Sequence, residues 1–296
     1  MPATPRRERP PLLPYALLTP ALLITLLIVF LPMAEALFLS LHDYVIWRPH
    51  ARAFVGLDNF ARALGDEAFW IAFRNTVLWI GLTVPAQAAL GLATAVLLNR
   101  RFFWRPLARA LIIVPWALPS VVIALMWRWI YDPNIGVAND LLLRLGLIQQ
   151  AFPWLASPDT ALYAVIVTLT WQGFPFFAVM ILAGLQSIPR SRYEAAAIDG
   201  AGPWAQFVRI TLPGIAGVLG TAILLRIIWV ANSIDVIYVM TGGGPGYATH
   251  TLPIYAFIEA RQNLNFGYGS ALAVVFTLLL TAAIALYLRA RLRETD

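Results

Sequence analysis

Six stretches of this chain are each long and apolar enough to cross a lipid bilayer as a helix. They lie at about 15–39, 70–98, 109–131, 160–186, 213–240 and 267–290. A helix needs about 20 apolar residues to cross ~30 Å of hydrocarbon. The runs are too long and too continuously apolar for barrel strands, so helices are the structure that satisfies their backbone groups in lipid. Interior prolines, Pro119 among them, predict that these helices are kinked. With only 12% charged residues, the chain is predicted to form a single all-α membrane domain over residues 1–296 with six transmembrane helices.

The basic residues predict how the six helices are oriented. The chain has no lysine, and all 21 of its basic residues are arginines. Thirteen of them lie in the two terminal segments and in the loops 99–109 and 187–212, whereas five lie in the alternate loops, which are richer in aspartate and glutamate. Because positive charge concentrates on the cytoplasmic side, both termini and these two loops are predicted to be cytoplasmic.

Composition disfavours several other classes of protein. The chain has no cysteine, and its histidines (His42, His50 and His250) are far apart in the sequence, which argues against a metal site. The net charge is +6, but the arginines are distributed between alternate loops as in a membrane protein, so this charge does not indicate a nucleic-acid surface. The first apolar run is longer than that of a signal peptide, and we interpret it as an uncleaved helix.

The predicted cytoplasmic loop 187–213 has the pattern of two short helices. Ser191 and Glu194 have the spacing of a capping box, and the alanines that follow favour a helix. Gly200 can supply the turn that ends this helix, and Pro203 suits the first turn of a second one. From these features alone, the loop is either an ordinary connection or a docking surface whose small side chains permit close approach of a partner.

Motifs in this loop resemble the permeases of ATP-binding-cassette importers. Their "EAA" loop combines Glu-Ala-Ala, a glycine and Ile-x-Leu-Pro at the spacing found here. The residues that carry the resemblance are Glu194, Ala195, Ala196, Asp199, Gly200, Ile210, Leu212 and Pro213. The segments at 185–189 and 241–245 are similar to those of carbohydrate permeases of the maltose and glycerol-phosphate type. The six-helix layout covers nearly the whole chain.

The resemblance implies a function and a set of partners. The chain would be the permease subunit of a sugar importer in a bacterial or archaeal inner membrane, with a di- or oligosaccharide such as maltose or trehalose as substrate. A coupling helix at about 193–201 would dock into an ATPase subunit through Glu194. The assembly would contain a second homologous permease, two ATPase subunits and an extracytoplasmic sugar-binding protein.

The absence of lysine assigns ATP hydrolysis to another chain. A P-loop requires a lysine, which this sequence lacks, so ATP and magnesium are expected on separate ATPase subunits. The permease would therefore hold no cofactor or metal of its own and would not be an enzyme. No Ser/His/Asp set or carboxylate pair at matching depth indicates an active site.

Polar side chains inside the fourth and fifth stretches predict the substrate pathway. Polar residues in a membrane usually face a cavity. Arg226 lies about 20 Å into the fifth helix, and rings, amides and a guanidinium suit a sugar. In maltose-type permeases the corresponding spans carry the sugar contacts. The predicted pathway residues are Trp171, Gln172, Gly173, Phe176, Arg226, Trp229, Asn232, Ser233 and Asp235.

Other interpretations stay open at the level of sequence. Arg226 could instead bridge helices or reach the interface, and the tryptophans could pack or form an interfacial belt. An ion-coupled secondary transporter would need buried carboxylates and often inverted repeats, but the spans offer only Glu35 and Asp235 near their ends. A permease for a non-sugar solute such as glycerol 3-phosphate also fits the motifs.

Overall fold

The computed structural model describes residues 12–47 and 52–293. Four of the arginines counted above, at positions 6, 7, 9 and 48, lie outside the described residues, as does His50. The helices are α1 (Leu12–Thr25), α2 (Leu31–Ser40), α3 (Asp58–Gly65), α4 (Glu67–Asn99), α5 (Arg105–Ala117), α6 (Ser120–Ile130), α7 (Val137–Arg144), α8 (Ala161–Ser187), α9 (Arg190–Ile198), α10 (Pro203–Gln206), α11 (Leu212–Ala231), α12 (Asp235–Thr241), α13 (Leu252–Arg261) and α14 (Phe266–Arg293). One π-helical turn, Leu26–Phe30, joins α1 to α2, and another, Phe207–Thr211, joins α10 to α11.

The described part of the chain confirms an all-α membrane fold. Five continuous helices are long and apolar enough to span a bilayer, and a bent pair of helices makes a sixth span. A two-stranded hairpin, β1 (His42–Asp43) with β2 (Ala53–Phe54), is a small addition that the sequence did not predict. It lies in the loop between the first two spans, where β1 pairs antiparallel with β2.

The third predicted span is wrong as a single helix. It is broken between α5 and α6, whose axes differ by 97°. Leu118 and Pro119 are extended, with ψ of 143° and 137°. Proline supplies no backbone N–H to a helix and disfavours helical dihedrals in the residue before it, so Pro119 explains the break. The sequence predicted a kink at this proline, and the structure has a sharp turn.

The fifth predicted span, 213–240, has different limits in the structure. The continuous helix runs from Pro203 to Ala231, because the π-helical turn carries α10 directly into α11. The second short helix of the predicted loop is therefore the first part of the fifth span. At the other end, residues 232–234 interrupt the helix before α12 begins.

The core of the bundle lies between α4 and α8, which pack along their length. Trp79 and Phe177 are fully buried there. A Cβ atom at Gly91 would lie 2.3 Å from the Cβ of Phe177, so only a glycine permits this approach of the two backbones. The first span, in contrast, is almost entirely exposed and packs mainly on α14.

Three of the four arginine-rich segments, the loops 99–109 and 187–212 and the C-terminal end of α14, lie together at one end of the bundle, which we call the inner end. Arg101, Arg105 and Arg190 line a common cleft there. The Arg291 guanidinium at the end of α14 donates hydrogen bonds to the Gly217 carbonyl and the Thr221 hydroxyl near the start of α11. This grouping agrees with the arginine pattern, and the cytoplasmic location of the inner end stays a prediction.

The opposite end, the outer end, is fastened by buried polar contacts. The Asn75 amide nitrogen lies 3.0–3.1 Å from the carbonyl oxygens of Tyr247, Ala248 and His250. The Thr76 hydroxyl accepts a hydrogen bond from the Leu252 amide at 2.8 Å. These bonds attach the segment between α12 and α13 to α4.

A second outer contact is centred on Asp66, which lies just before α4. Its carboxylate accepts hydrogen bonds from the hydroxyls of Tyr255 and Tyr268, and its other oxygen accepts one from the Ala68 amide at 2.9 Å. Burial by itself would raise the pKa of Asp66, but these hydrogen bonds outweigh it and hold the pKa below its ordinary value of 3.8. The arrangement joins α4 to α13 and α14.

Candidate functional site

An open cavity of about 340 Å³ lies between α8, α11 and the break between α5 and α6. Its volume is within the range of small-molecule sites. Four of the predicted pathway residues line it together, namely Gln172, Arg226, Trp229 and Ser233. The other lining residues are Trp116, Leu118, Pro119, Ser120, Leu169 and Val230.

Arg226 is held in place by an amide on a neighbouring helix. It is only 7% exposed, and its Nε donates a hydrogen bond to Gln87 Oε1 at 2.8 Å. Gln87 in turn donates through Nε2 to the Leu169 carbonyl at 2.7 Å. Arg226 makes no ion pair with any carboxylate among the described residues. The guanidinium is therefore positioned by neutral groups and keeps its charge uncompensated.

Gly173 provides the space that the guanidinium occupies. A Cβ atom at this position would lie 2.0 Å from Arg226 Nη2 and 2.2 Å from Gln87 Nε2. Any larger residue would displace the pair, so the glycine, the amide and the arginine form one unit.

Aromatic rings flank the guanidinium. Its Cζ lies 6.0 Å from the centre of the Phe176 ring and 5.9 Å from that of Trp229, about the limit for a cation–π contact. The two rings meet edge to face at 5.1 Å. Phe176 thus supports the cavity from behind, whereas Trp229 lies at its surface.

Gln172 adds an amide to the cavity wall. Its Nε2 donates to Ser120 Oγ at 3.3 Å, which links α8 to the start of α6. Its Oε1 is buried without a hydrogen-bond partner in the described structure. A buried oxygen of this kind is unfavourable unless a ligand or water donates to it.

Gly173 and Phe176 lie behind the cavity next to Arg226, whereas three other predicted pathway residues neither line the cavity nor flank Arg226. Trp171 instead packs against Trp127, with ring centres 5.8 Å apart. The Asn232 amide donates to the Ile228 carbonyl of its own helix at 2.8 Å, and Asp235 is an exposed residue in the first turn of α12.

Sequence reasoning missed several residues of the site. Gln87 is a polar residue in a long apolar stretch, so the rule that identified Arg226 could also have found it. Trp116 and Ser120 were not identifiable, because they reach the cavity only through the sharp turn at Pro119. Pro119 itself was recognised as a kink but not as part of the cavity wall.

The predicted coupling segment forms an exposed helix at the inner end. The helix is α9, Arg190–Ile198, and none of its residues is buried. Glu194, Ala195 and Asp199 are exposed, Ala196 is half-buried, and Ile198 is 87% exposed. Glu194 forms no ion pair within the described part of the chain. An apolar side chain and an unpaired carboxylate are thus both available to a partner.

Two details of this segment differ from the prediction. The capping box at Ser191 and Glu194 is wrong, because the helix begins at Arg190 after Pro189 and has no side-chain cap. The turn at Gly200 is confirmed by its φ of +81°, a left-handed conformation that favours glycine.

The remaining coupling residues connect α9 to the bundle. The Tyr193 hydroxyl lies 3.0 Å from Thr211 Oγ1 in the π-helical turn. Ile210 and Leu212 are half-buried and pack against the main core, while Pro213 is exposed in the first turn of α11. The Tyr193–Thr211 hydrogen bond and the short connecting segment link α9 to the helix that carries Arg226.

Comparison with known proteins defines the class. Residues 87–293 match the family of binding-protein-dependent transport system inner membrane components. The chain belongs to this family, and it is a multi-pass membrane protein.

Relatives extend the similarity over nearly the whole chain. The chain is 40% identical to the sulfoquinovosyl glycerol transport system permease protein of Agrobacterium fabrum, covering 94% of this chain and 90% of that protein. It is 37% identical to the trehalose/maltose transport system permease protein of Thermococcus litoralis, and the match covers 93% of this chain and 92% of that protein. The fold is shared with a bacterial alginate transporter of the ATP-binding-cassette type, with a TM-score of 0.82 and 21% identity over 96% of this chain and 95% of that one. That transporter was solved in complex with a periplasmic protein that holds an alginate pentasaccharide.

Proposed function

We propose that this chain is the permease subunit of an ATP-driven carbohydrate importer, in which α9 docks the ATPase and the Arg226 cavity lies on the substrate pathway. The observation that carries the proposal is the direct connection between the two sites. From α9, the chain passes through a single turn into a continuous helix that begins at Pro203 and contains Arg226.

The inner end has the features of a docking surface. On α9, Ile198 projects from a backbone whose small alanines permit close approach, and the Glu194 carboxylate lines a 630 Å³ cleft with Arg101, Arg105 and Arg190. An exposed apolar side chain beside mixed charges is common at protein interfaces. The predicted occupant is a separate ATPase subunit, which would bind ATP and magnesium.

The cavity has the chemistry that a sugar requires. Trp229 offers a ring face for C–H groups, and Gln172, Ser233 and Arg226 offer directional hydrogen bonds. The carbohydrate assignment also draws on the relatives, two of which are named for the transport of sulfoquinovosyl glycerol and of trehalose and maltose.

The complete transporter requires further subunits. The open cavity of this chain would form one wall of the pathway, and we propose that a second homologous permease forms the opposite wall. Two ATPase subunits and an extracytoplasmic sugar-binding protein would complete the assembly. The alginate transporter that shares the fold was solved with such a periplasmic protein.

Co-purification tests the docking part of the proposal. The tagged permease, expressed with its ATPase, should retain that subunit through purification. Glu194→Arg, or deletion of 193–201, should release the ATPase and abolish ATP-dependent uptake. Glu67→Arg makes the same charge change at the outer end and should leave the association intact. Uptake that survives the deletion would rule out α9 as the coupling element.

A further inference from the structure

We infer that the transported solute carries an acidic group, a carboxylate, sulfonate or phosphate, and that Arg226 is the residue that selects it. This inference rests on the proposed function and adds the charge of the substrate. The geometry around Arg226, rather than its mere presence, carries the argument.

The cavity has one formal charge among the residues that line it. Those residues include amide, hydroxyl and apolar side chains, but no aspartate or glutamate. Glu35 and Asp235, the carboxylates within the predicted spans, are exposed, and neither forms an ion pair with Arg226. The residues that line the cavity therefore carry a net formal charge of +1, that of Arg226.

Such a charge is expensive unless a ligand compensates it. A guanidinium stays protonated in proteins, and a buried charge without a partner is strongly unfavourable. In a helix bundle that uses Arg226 only for structure, a carboxylate or several carbonyl groups would be expected around it. Instead, a single hydrogen bond from Nε to the neutral Gln87 fixes the orientation.

The rest of the site keeps this charge in position. Gly173 leaves room for Nη2, and Gln87 is itself held by the Leu169 carbonyl. A fixed, planar guanidinium recognises carboxylate, sulfonate and phosphate oxygens through paired hydrogen bonds. Neutral hydroxyls interact much less strongly with the charge, so an acidic solute should bind this site more tightly than a neutral sugar does.

The test compares matched solutes in the assembled transporter. The complex with its own ATPase and binding protein is reconstituted in liposomes that contain ATP. Uptake is measured for radiolabelled neutral glycosides, for the corresponding uronates and sulfonates, and for glycerol 3-phosphate. Transport of the acidic compounds is expected to exceed that of their neutral counterparts at least about tenfold. The acidic compound with the highest uptake identifies whether the transported group is a carboxylate, a sulfonate or a phosphate.

Variants connect this preference to Arg226. Arg226→Gln should reduce uptake of the acidic solute at least about tenfold, and Arg226→Lys should restore a substantial part of it because the charge is kept. Arg144→Gln changes an exposed arginine on α7 and should transport like the wild type. Retention of the ATPase through purification shows that each variant is assembled.

The outcomes separate this inference from the proposed function. Preferred uptake of a neutral sugar would overturn the anion inference whether or not Arg226→Gln impairs it, and would leave the carbohydrate permease intact. Equal uptake of the acidic solute by the wild type and Arg226→Gln would also overturn it. Failure to transport any sugar or sugar acid would contradict the proposed function itself.

Discussion

The two ends of the bundle differ in how many buried contacts hold their connecting segments to the long helices. At the outer end, loops are tied to α4 by buried hydrogen bonds from Asn75 and around Asp66. At the inner end, α9 has no buried residue, and the Tyr193–Thr211 contact is its side-chain hydrogen bond to the fifth span. The outer loops are fastened within the chain, whereas α9 is an exposed helix, which we propose as the surface that binds the ATPase.

Under the proposed function, movement of the ATPase would enter the molecule at the exposed inner end. A segment held by many internal contacts changes its stability when a contact is lost, whereas an exposed segment changes its association with a partner. Mutations at the two ends should therefore affect different measurements.

The largest effect is expected at Ile198 on α9. Ile198→Glu places a charge on a side chain that is 87% exposed, so the fold should persist, but the apolar contact with the ATPase should be lost. We expect loss of ATPase co-purification and of ATP-dependent uptake, with a melting temperature close to that of the wild type. The matched control is Ile135→Glu at the outer end, where the side chain is 81% exposed and the ATPase should be retained. Equal loss in both variants would contradict the assignment of the inner end.

The next effect is expected at Gly173, between the two ends. Gly173→Ala adds a Cβ that would lie 2.0 Å from Arg226 Nη2, so Arg226 and Gln87 must move. Displacement of a positioned group by about 1 Å costs up to ~100-fold in rate. We expect uptake to fall at least about tenfold while the ATPase stays bound.

The control for Gly173 is Gly81→Ala on α4. A Cβ at Gly81 has no heavy atom within 4 Å, and alanine is the better helix former, so uptake should be unchanged and stability equal or slightly higher. Normal uptake by Gly173→Ala would exclude the Arg226 unit from the pathway.

A stability effect is expected at Asn75. Asn75→Ala would leave buried carbonyl oxygens at Tyr247, Ala248 and His250 without this donor. The expected loss is about 3 kcal/mol, seen as a melting temperature several degrees lower in detergent. Asn232→Ala is the control, because that exposed amide bonds only within its own helix and should change the melting temperature little. A larger shift in the control would contradict the description of the outer end.

The smallest effect concerns Asp66 and depends on pH. The pKa of Asp66 is lower in the folded state than its ordinary value of 3.8, so its contribution to stability is present above about pH 4 and is lost as the pH falls through the folded-state pKa. The melting temperature of Asp66→Asn should lie slightly below that of the wild type at pH 7, and the difference should narrow towards pH 3. A difference that widens on acidification would reverse the sign of this account.

The sequence predicted the inner end better than the outer end or the cavity. Gly200 and the short helix before it are local features, because a turn and a run of alanines act over a few neighbouring residues. The failed capping box at Ser191 shows the limit of that approach, since Pro189 shifted the start of the helix. The spans followed from length and hydropathy, which the bilayer imposes directly.

The unpredicted features depend on contacts between distant residues. Gln87 meets Arg226 across 139 positions in the sequence, and Asn75 meets the carbonyl of His250 across 175. The two-residue strands β1 and β2 are too short to give a periodic signal. Pro119 was visible as a helix breaker, but the 97° turn that makes it part of the cavity depends on how α6 packs against α12.

The most direct test of the account is the energy source for uptake by the reconstituted complex. In liposomes supplied with the binding protein and its ligand, accumulation should require ATP on the side of the ATPase subunits. It should persist when ion gradients are dissipated by ionophores and stop when ATP is replaced by a non-hydrolysable analogue. Accumulation driven by an ion gradient in the absence of ATP would contradict the account and identify a secondary transporter instead.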